Sequence, residues 1–224
     1  MGKRGVTVLL TVLLAVCLLG MEQVKDRKET VEAGMEVSEE EKLVALTFDD
    51  GPHAVYTEKL LEGLRERGVK ATFFLIGKSI EGKEEIVKQM AEDGHLIGSH
   101  TFDHVQLTAL SVEEACREIS MTNEAIREVT GQEPEYIRPP FGSWNTRLEC
   151  AVDMKEVGWT VDPEDWKVKD TDTVVERVLE KTEDGSIILL HDVYDTSVEA
   201  AFQIIDALQA EGYRFVTVDG VMLD

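Results

Sequence analysis

The sequence predicts an α/β fold, a distorted (β/α) barrel of about seven parallel strands preceded by an N-terminal hydrophobic segment. Three observations predict it. Strand-like and helix-like segments alternate from about residue 43 to the end, which implies parallel strands joined by helical crossovers. Several helix-like segments stop at a glycine suited to a left-handed cap: Gly68, Gly94, Gly131, Gly158, Gly185 and Gly212. Polar residues of chemical interest fall at the ends of the strand-like runs, where parallel α/β folds gather their chemistry. Seven units suit an irregular barrel better than an open sheet.

KLVALTF is an apolar strand, and YTEKLLEGLRERG a helix whose Leu60, Leu61 and Leu64 share one face. KATFFLIG precedes the helix KEEIVKQMAEDG, and HLIGSH precedes a long helix opened by the capping box Ser111-x-x-Glu114 and stopped at Gly131. EYIRPPFG leads to NTRLECAVDMKEVG, read as helical, and WTVDPEDW is the fifth strand. DTVVERVLEKTEDG, SIILLHD, SVEAAFQIIDALQAEG and YRFVTVDG complete the alternation. No self-similar repeat of 20–50 residues accompanies it.

Ahead of this domain the chain divides in two. Residues 1–21 carry Lys3 and Arg4 and then an uncharged, mostly apolar run. That is the pattern of an uncleaved signal-anchor or a signal peptide, and it predicts export of the remaining chain. Residues 22–42 are charged and read as a stalk or linker, so the domain is expected over 43–224. The exported protein is then anchored at the membrane, or secreted if the segment is removed. A net charge of −22 argues against nucleic acid and anionic membrane surfaces as partners. Cys17, Cys116 and Cys150 form no C-x-x-C pair and no disulfide framework.

The first strand ends in Asp49 and Asp50. Two adjacent carboxylates disfavour each other's ionisation unless a cation or a hydrogen-bond network holds them. HTFDH supplies His100 and His104 at i and i+4, a spacing that puts both imidazoles on one face of a helical turn and suits a divalent metal. Two histidines and one aspartate give three protein ligands and leave positions for water and substrate, as hydrolytic zinc-type sites require. One carboxylate of the pair then binds the metal while the other takes a proton from water. Arg138 can hold that free carboxylate ionised. His191 is a candidate general acid, since imidazole titrates near neutrality, and Asp165 could hold its other nitrogen. Trp166 and Leu189 could form an apolar wall for a methyl group. His53 is expected to pack the loop and not to bind metal, and Asp103 to serve a turn or support the ligands.

At these residues the chain resembles the polysaccharide deacetylases of the NodB-homology type, carbohydrate esterase family four. The likeness covers roughly residues 43–219, with five motifs in order: TFDDG, HTFDH, RPPFG, DPEDW and LLHD. The resemblance implies the distorted barrel, with Asp49 as catalytic base and Asp50, His100 and His104 as metal ligands. It implies Arg138 orienting the base, Asp165 tuning the acid His191, and Trp166 and Leu189 lining the acetate pocket. It implies further that the backbone N–H of Phe141, where the family often carries Tyr, helps stabilise the oxyanion. The metal is expected to be Zn²⁺, with Co²⁺, Mn²⁺ or Ni²⁺ as alternatives. The expected function is metal-dependent removal of N-acetyl groups from a peptidoglycan or chitin-like glycan by a monomer. Rival readings are an O-acetyl esterase on xylan, a hydrolase of small cyclic amides, and an inactive wall-binding protein.

Overall fold

The computed structural model describes residues 41–145 and 153–222. The hydrophobic segment 1–21, the linker up to residue 40 and residues 146–152 of the NTRLECAVDMKEVG segment lie outside the described residues. Glu41 and Lys42 already belong to the fold: Glu41 pairs with Arg214 at 2.7 Å, and Lys42 opens the first strand.

The described residues contain seven strands, β1 (Lys42–Asp49), β2 (Thr72–Leu75), β3 (Leu96–Ser99), β4 (Tyr136–Ile137), β5 (Lys155–Glu156), β6 (Ser186–His191) and β7 (Tyr213–Val216). The helices are α1 (Tyr56–Glu66), α2 (Gly77–Ile80), α3 (Glu84–Glu92), α4 (Val112–Thr130), α5 (Asp165–Val168), α6 (Thr171–Lys181) and α7 (Asp195–Ala210). All the pairings are parallel, in the order β5-β4-β3-β2-β1-β6. β1 is the hub. It pairs with β6 from Val44 to Asp49, with β2 through Thr47–Asp49, and with β7 through Lys42–Ala45. A strand covered on both edges and both faces needs a continuous apolar run, which LVALTF supplies.

Alternation along β1 separates two environments. Val44, Leu46 and Phe48 point outward into the main core with Leu60, Leu64, Ile204 and Ile205 of the helices. Phe48 stacks on Phe73 of β2 at 5.3 Å, and truncating either ring would cost about 3–5 kcal/mol. Ala45 shares the smaller inner cluster with Phe74, Tyr136 and Val157. Thr47 and Asp49 have the parity of Ala45, so the upper barrel interior is polar.

The fifth strand differs from expectation. WTVDPEDW contributes only one bridge, Val161 to Ile188 of β6, and the assigned β5 lies earlier, at Lys155–Glu156, in a segment read as helical. There Lys155 N–H donates to Glu135 O and Val157 N–H to Ile137 O, so pairing with β4 overrides helical periodicity. Between β5 and the bridge, the carbonyls of Val157 and Gly158 accept from the Arg138 guanidinium instead of a neighbouring strand. The sheet thus curls until the chain beyond β5 meets β6. Gly158 caps no helix and is not among the residues with positive φ. Gly131 does cap α4 at φ 71°, and Ser111 and Glu114 form both halves of the capping box at its start, a cap worth about 1 kcal/mol.

Candidate active site

Parallel strands put their C-terminal ends on one rim. β1 ends at Asp49, β6 at His191, and the two residues are register partners. Beyond the assigned strand ends, His100 N–H donates to Leu75 O and Arg138 N–H to Ser99 O, so the ladders extend one residue and set both side chains on the rim.

Asp50, His100 and His104 each bring one ligand atom within 4.8 Å of the others. Nε2 of His100 and of His104 lie 3.5 and 3.4 Å from Asp50 Oδ1. The imidazole spacing works, but not through a helical turn. Residues 100–104 form a loop in which Thr101 (φ 65°) and His104 (φ 56°) adopt left-handed backbone. Gly77 N–H and Lys78 N–H tie that loop down through the carbonyls of Thr101 and Phe102. His100 Nδ1 lies 2.6 Å from Arg138 O. A carbonyl can only accept, so Nδ1 carries the proton and Nε2 presents its lone pair to the triad. Burial holds the His100 imidazole below its ordinary value, outweighing the charges of Asp49 and Asp50, and keeps it neutral. Asp50 Oδ1 is shielded from solvent and has no hydrogen-bond partner, as suits an oxygen turned toward a cation. One carboxylate and two imidazoles suit a divalent ion of the zinc type.

The second carboxylate of the pair is held differently. Asp49 Oδ1 accepts from Arg138 Nη1 at 2.9 Å, while Oδ2 lies 3.8 Å from His100 Nε2. Arg138 is wholly buried and spends its donors on Asp49, Thr47 Oγ1 and the carbonyls of Val157 and Gly158. Its guanidinium also sits over the Phe74 ring, 4.3 Å from the centroid. The orientation of Asp49 is therefore fixed by a cation that cannot swing away.

On the opposite side His191 Nδ1 lies 2.8 Å from Asp165 Oδ1. Asp165 Oδ2 accepts from the His191 N–H at 2.8 Å and the Ser197 hydroxyl at 2.6 Å. The carboxylate fixes the ring and leaves Nε2 free to donate. Burial disfavours the imidazolium, but the hydrogen bond and charge of Asp165, with the charges of Asp49 and Asp50, raise His191 from 6.5 to about 9. A rim with a fixed carboxylate acceptor, a ligand triad and an opposed imidazolium can run proton-coupled hydrolysis of an acyl bond.

Residues 36–161 match the polysaccharide deacetylase family. The chain belongs to that family. It is 41% identical over 182 residues to the peptidoglycan-N-acetylmuramic acid deacetylase PdaC of Bacillus subtilis, covering 81% of this chain and 39% of that protein. The solved structure of that enzyme superposes with a TM-score of 0.79 at 40% identity, over 81% of this chain and 90% of the solved one. A peptidoglycan-N-acetylglucosamine deacetylase of Bacillus cereus is 35% identical over 207 residues, 88% of this chain and 97% of that protein. A family 4 acetyl xylan esterase from Clostridium thermocellum, solved with a cobalt ion, gives a TM-score of 0.76 at 35% identity, over 80% and 90% of the two chains. The chain spans about two-fifths of the length of the first curated relatives it matches.

Of the residues singled out in the sequence, Asp49, Asp50, His100, His104, Arg138, Asp165 and His191 come together on one rim; the residues expected around them differ in exposure. Leu189 is buried, whereas Trp166 is 47% and Phe141 68% exposed. The Phe141 ring meets His104 edge-on at 5.0 Å, and its backbone is left-handed at φ 61°. His53 packs the loop: its Nδ1 accepts from the N–H groups of Val55 and Tyr56, and its ring stacks on Tyr56. Asp103 belongs to a turn, pairing with Lys78 at 3.2 Å and donating its N–H to Glu118. Sequence reasoning missed Thr47, Ser197 and Asp192. Thr47 was signalled by a hydroxyl in an apolar strand at the parity of Asp49. Asp192, wholly buried, accepts a hydrogen bond from the Thr57 hydroxyl, and nothing local in the sequence links the two.

Proposed function

We propose that this protein removes N-acetyl groups from a cell-wall glycan, releasing acetate and a free sugar amine, with a divalent ion, Zn²⁺ before Co²⁺, Mn²⁺ or Ni²⁺, held by Asp50, His100 and His104. The observation that carries the reading is the opposition on one rim of Asp49, fixed by Arg138, and His191, charged against Asp165. When bound, the ion polarises the acetyl carbonyl and acidifies the attacking water.

The protein's own residues do the rest. Asp49 accepts the water's proton on Oδ2, the oxygen not taken by Arg138. His191 Nε2 donates a proton to the departing amine, while Asp165 stabilises the ring throughout. Leu189 and Trp166 shape an apolar wall for the acetyl methyl, and the Phe141 N–H supports the oxyanion.

The relatives' names favour peptidoglycan glycans among the substrates. The alternative is an O-acetyl ester of a xylan-type glycan, favoured by the likeness to the acetyl xylan esterase. The basic and apolar N-terminus supports a protein that acts outside the cytoplasm, anchored or secreted. Acetate release by the full chain from peptidoglycan, chitooligosaccharides and acetylxylan, with and without added Zn²⁺ or Co²⁺, tests the reading. Metal-dependent release from an N-acetylated glycan that is lost in His100→Ala supports it, and release from acetylxylan alone selects the ester reading. Resistance of the domain to protease added outside intact cells, with cleavage after lysis, would overturn the export reading.

A further inference from the structure

Four carboxylates are buried among the described residues: Asp49, Glu118, Asp165 and Asp192. Arg138 holds Asp49, and His191 and Ser197 hold Asp165, as parts of the acid–base machinery. Asp192 takes the Thr57 hydroxyl and packs against Gly51. Glu118 has no place in that machinery. It stands on the buried face of α4 with Ala115, Ile119, Thr122 and Ile126, where the helical stripe calls for an apolar side chain. A buried carboxylate costs free energy unless hydrogen bonds hold it, and among the described residues no cation pairs with this one.

Its partner is a backbone group of the ligand loop. Oε2 of Glu118 accepts from the Asp103 N–H at 2.9 Å. That N–H belongs to the peptide joining Phe102 to Asp103, and the carbonyl of the same peptide accepts from the Lys78 N–H at 3.1 Å. One planar unit midway between His100 and His104 is therefore held from both sides, by α2 and by α4. The loop needs such a hold. Thr101 and His104 flank the unit in left-handed backbone, a conformation costly for any residue with a Cβ and most for a β-branched threonine. The three elements are tightly packed here. A Cβ at Gly77 of α2 would fall 2.6 Å from the Phe102 ring and 2.8 Å from Thr122 Oγ1, one turn beyond Glu118. On the solvent side Lys78 Nζ pairs with the Asp103 carboxylate, but both side chains are half exposed and such a pair holds little.

We propose that Glu118 is a positioning residue of the metal site: by fixing the Phe102–Asp103 peptide it holds the loop in the shape that turns both imidazoles toward Asp50. This rests on the reading of Asp50, His100 and His104 as metal ligands and adds a residue that acts on them through the backbone. A hydrogen bond to a carboxylate is about twice as strong as one between neutral groups, and burial spares it from competition with water.

The test measures Zn²⁺ affinity of the full chain by competition with a chromophoric chelator, beside the Tm of the metal-free protein. Glu118→Met fills the same space without an acceptor. It is expected to weaken Zn²⁺ binding by about ten-fold or more. The metal-free Tm should stay at or above that of the unmodified chain, since an apolar side chain replaces a buried charge. Glu118→Gln keeps an oxygen for the Asp103 N–H and should bind Zn²⁺ within about three-fold of the unmodified chain. Unchanged affinity in Glu118→Met would overturn the proposal, and a lowered metal-free Tm beside it would assign Glu118 to packing. Equal weakening in the two variants would overturn it as well, by showing an effect of charge alone. A chain that binds Zn²⁺ and releases no acetate loses the deacetylase reading, and the affinities still decide the role of Glu118. If the unmodified chain binds no Zn²⁺, or Glu118→Met does not fold, hydrogen exchange of the Asp103 amide decides. An amide protected in the unmodified chain that exchanges faster in Glu118→Ala sustains the hold on the loop, and equal exchange refutes it.

Discussion

Arg138 Nη1 lies 2.9 Å from Asp49 Oδ1, with the arginine side chain wholly buried and the aspartate nearly so. The same guanidinium binds the carbonyls of Val157 and Gly158 where the barrel lacks a regular strand. One residue therefore orients the proposed base and satisfies the barrel's irregular edge. Arg138→Met leaves a buried carboxylate and two carbonyls unpaired, and is expected to cost about 3–5 kcal/mol in urea unfolding. Arg138→Lys keeps the charge but not the planar fork, so it should fold while losing acetate release by about two orders of magnitude. Wild-type turnover in Arg138→Lys would separate the base from its arginine.

His191 gives the proposed reaction an alkaline limit. Its value near 9 means that the donor form persists through neutral pH, so kcat/KM should fall as pH rises through about 9. The stability contribution has the same sign. A histidine raised above its unfolded value of 6.5 stabilises the fold fully below 6.5 and loses that contribution as pH passes 9. Asp165→Asn removes the nearest negative charge, and with it the charge assistance of the hydrogen bond, and leaves burial, which acts in the other direction. The alkaline limb should move down by more than about one pH unit. A limb that stays in place in Asp165→Asn would assign it to another group.

The barrel was legible because β1, β2, β3 and β6 are apolar runs, of which β1, β3 and β6 end in polar residues, and because capping signals at Ser111 and Gly131 mark a helix directly. The site was legible for the same reason: its residues stand at strand ends. What escaped was nonlocal. β5 is two residues long and exists through pairing with β4, and Val161 holds the curl by one bridge. The i, i+4 spacing of His100 and His104 suggested a helix where left-handed residues build a loop. Thr57 and Asp192 are 135 residues apart and meet only in the folded chain.

Gly51 shows how tightly that meeting is packed. A Cβ at Gly51 would fall 2.6 Å from both carboxylate oxygens of Asp192, which is wholly buried and bonded to Thr57. The carboxylate cannot withdraw, so Gly51→Ala is expected to cost about 1–3 kcal/mol. Asp192→Ala empties the space, so the double variant should be more stable than the sum of the single losses by about 1 kcal/mol, read by urea unfolding. Strict additivity would show that the turn after Asp50 yields instead.

The triad connects chemistry to stability. Asp50 Oδ1 and the Nε2 atoms of His100 and His104 converge in the folded chain from the ends of β1 and β3, which are paired only through β2. A cation bound there binds the native state in preference to the unfolded one. At a free concentration about 100-fold above its Kd it should add about 2.7 kcal/mol. For a domain of this size that is about 5–10 °C in Tm. Chelation of the loaded protein should remove the increment, and added Co²⁺ should restore it with visible absorption. In His104→Ala one ligand is lost while the half-buried position tolerates alanine, so the metal-free Tm should stay close to that of the unmodified chain. The metal-induced rise should shrink to under about a third, with acetate release falling in parallel. A full metal-induced rise in His104→Ala would place the ion on other ligands.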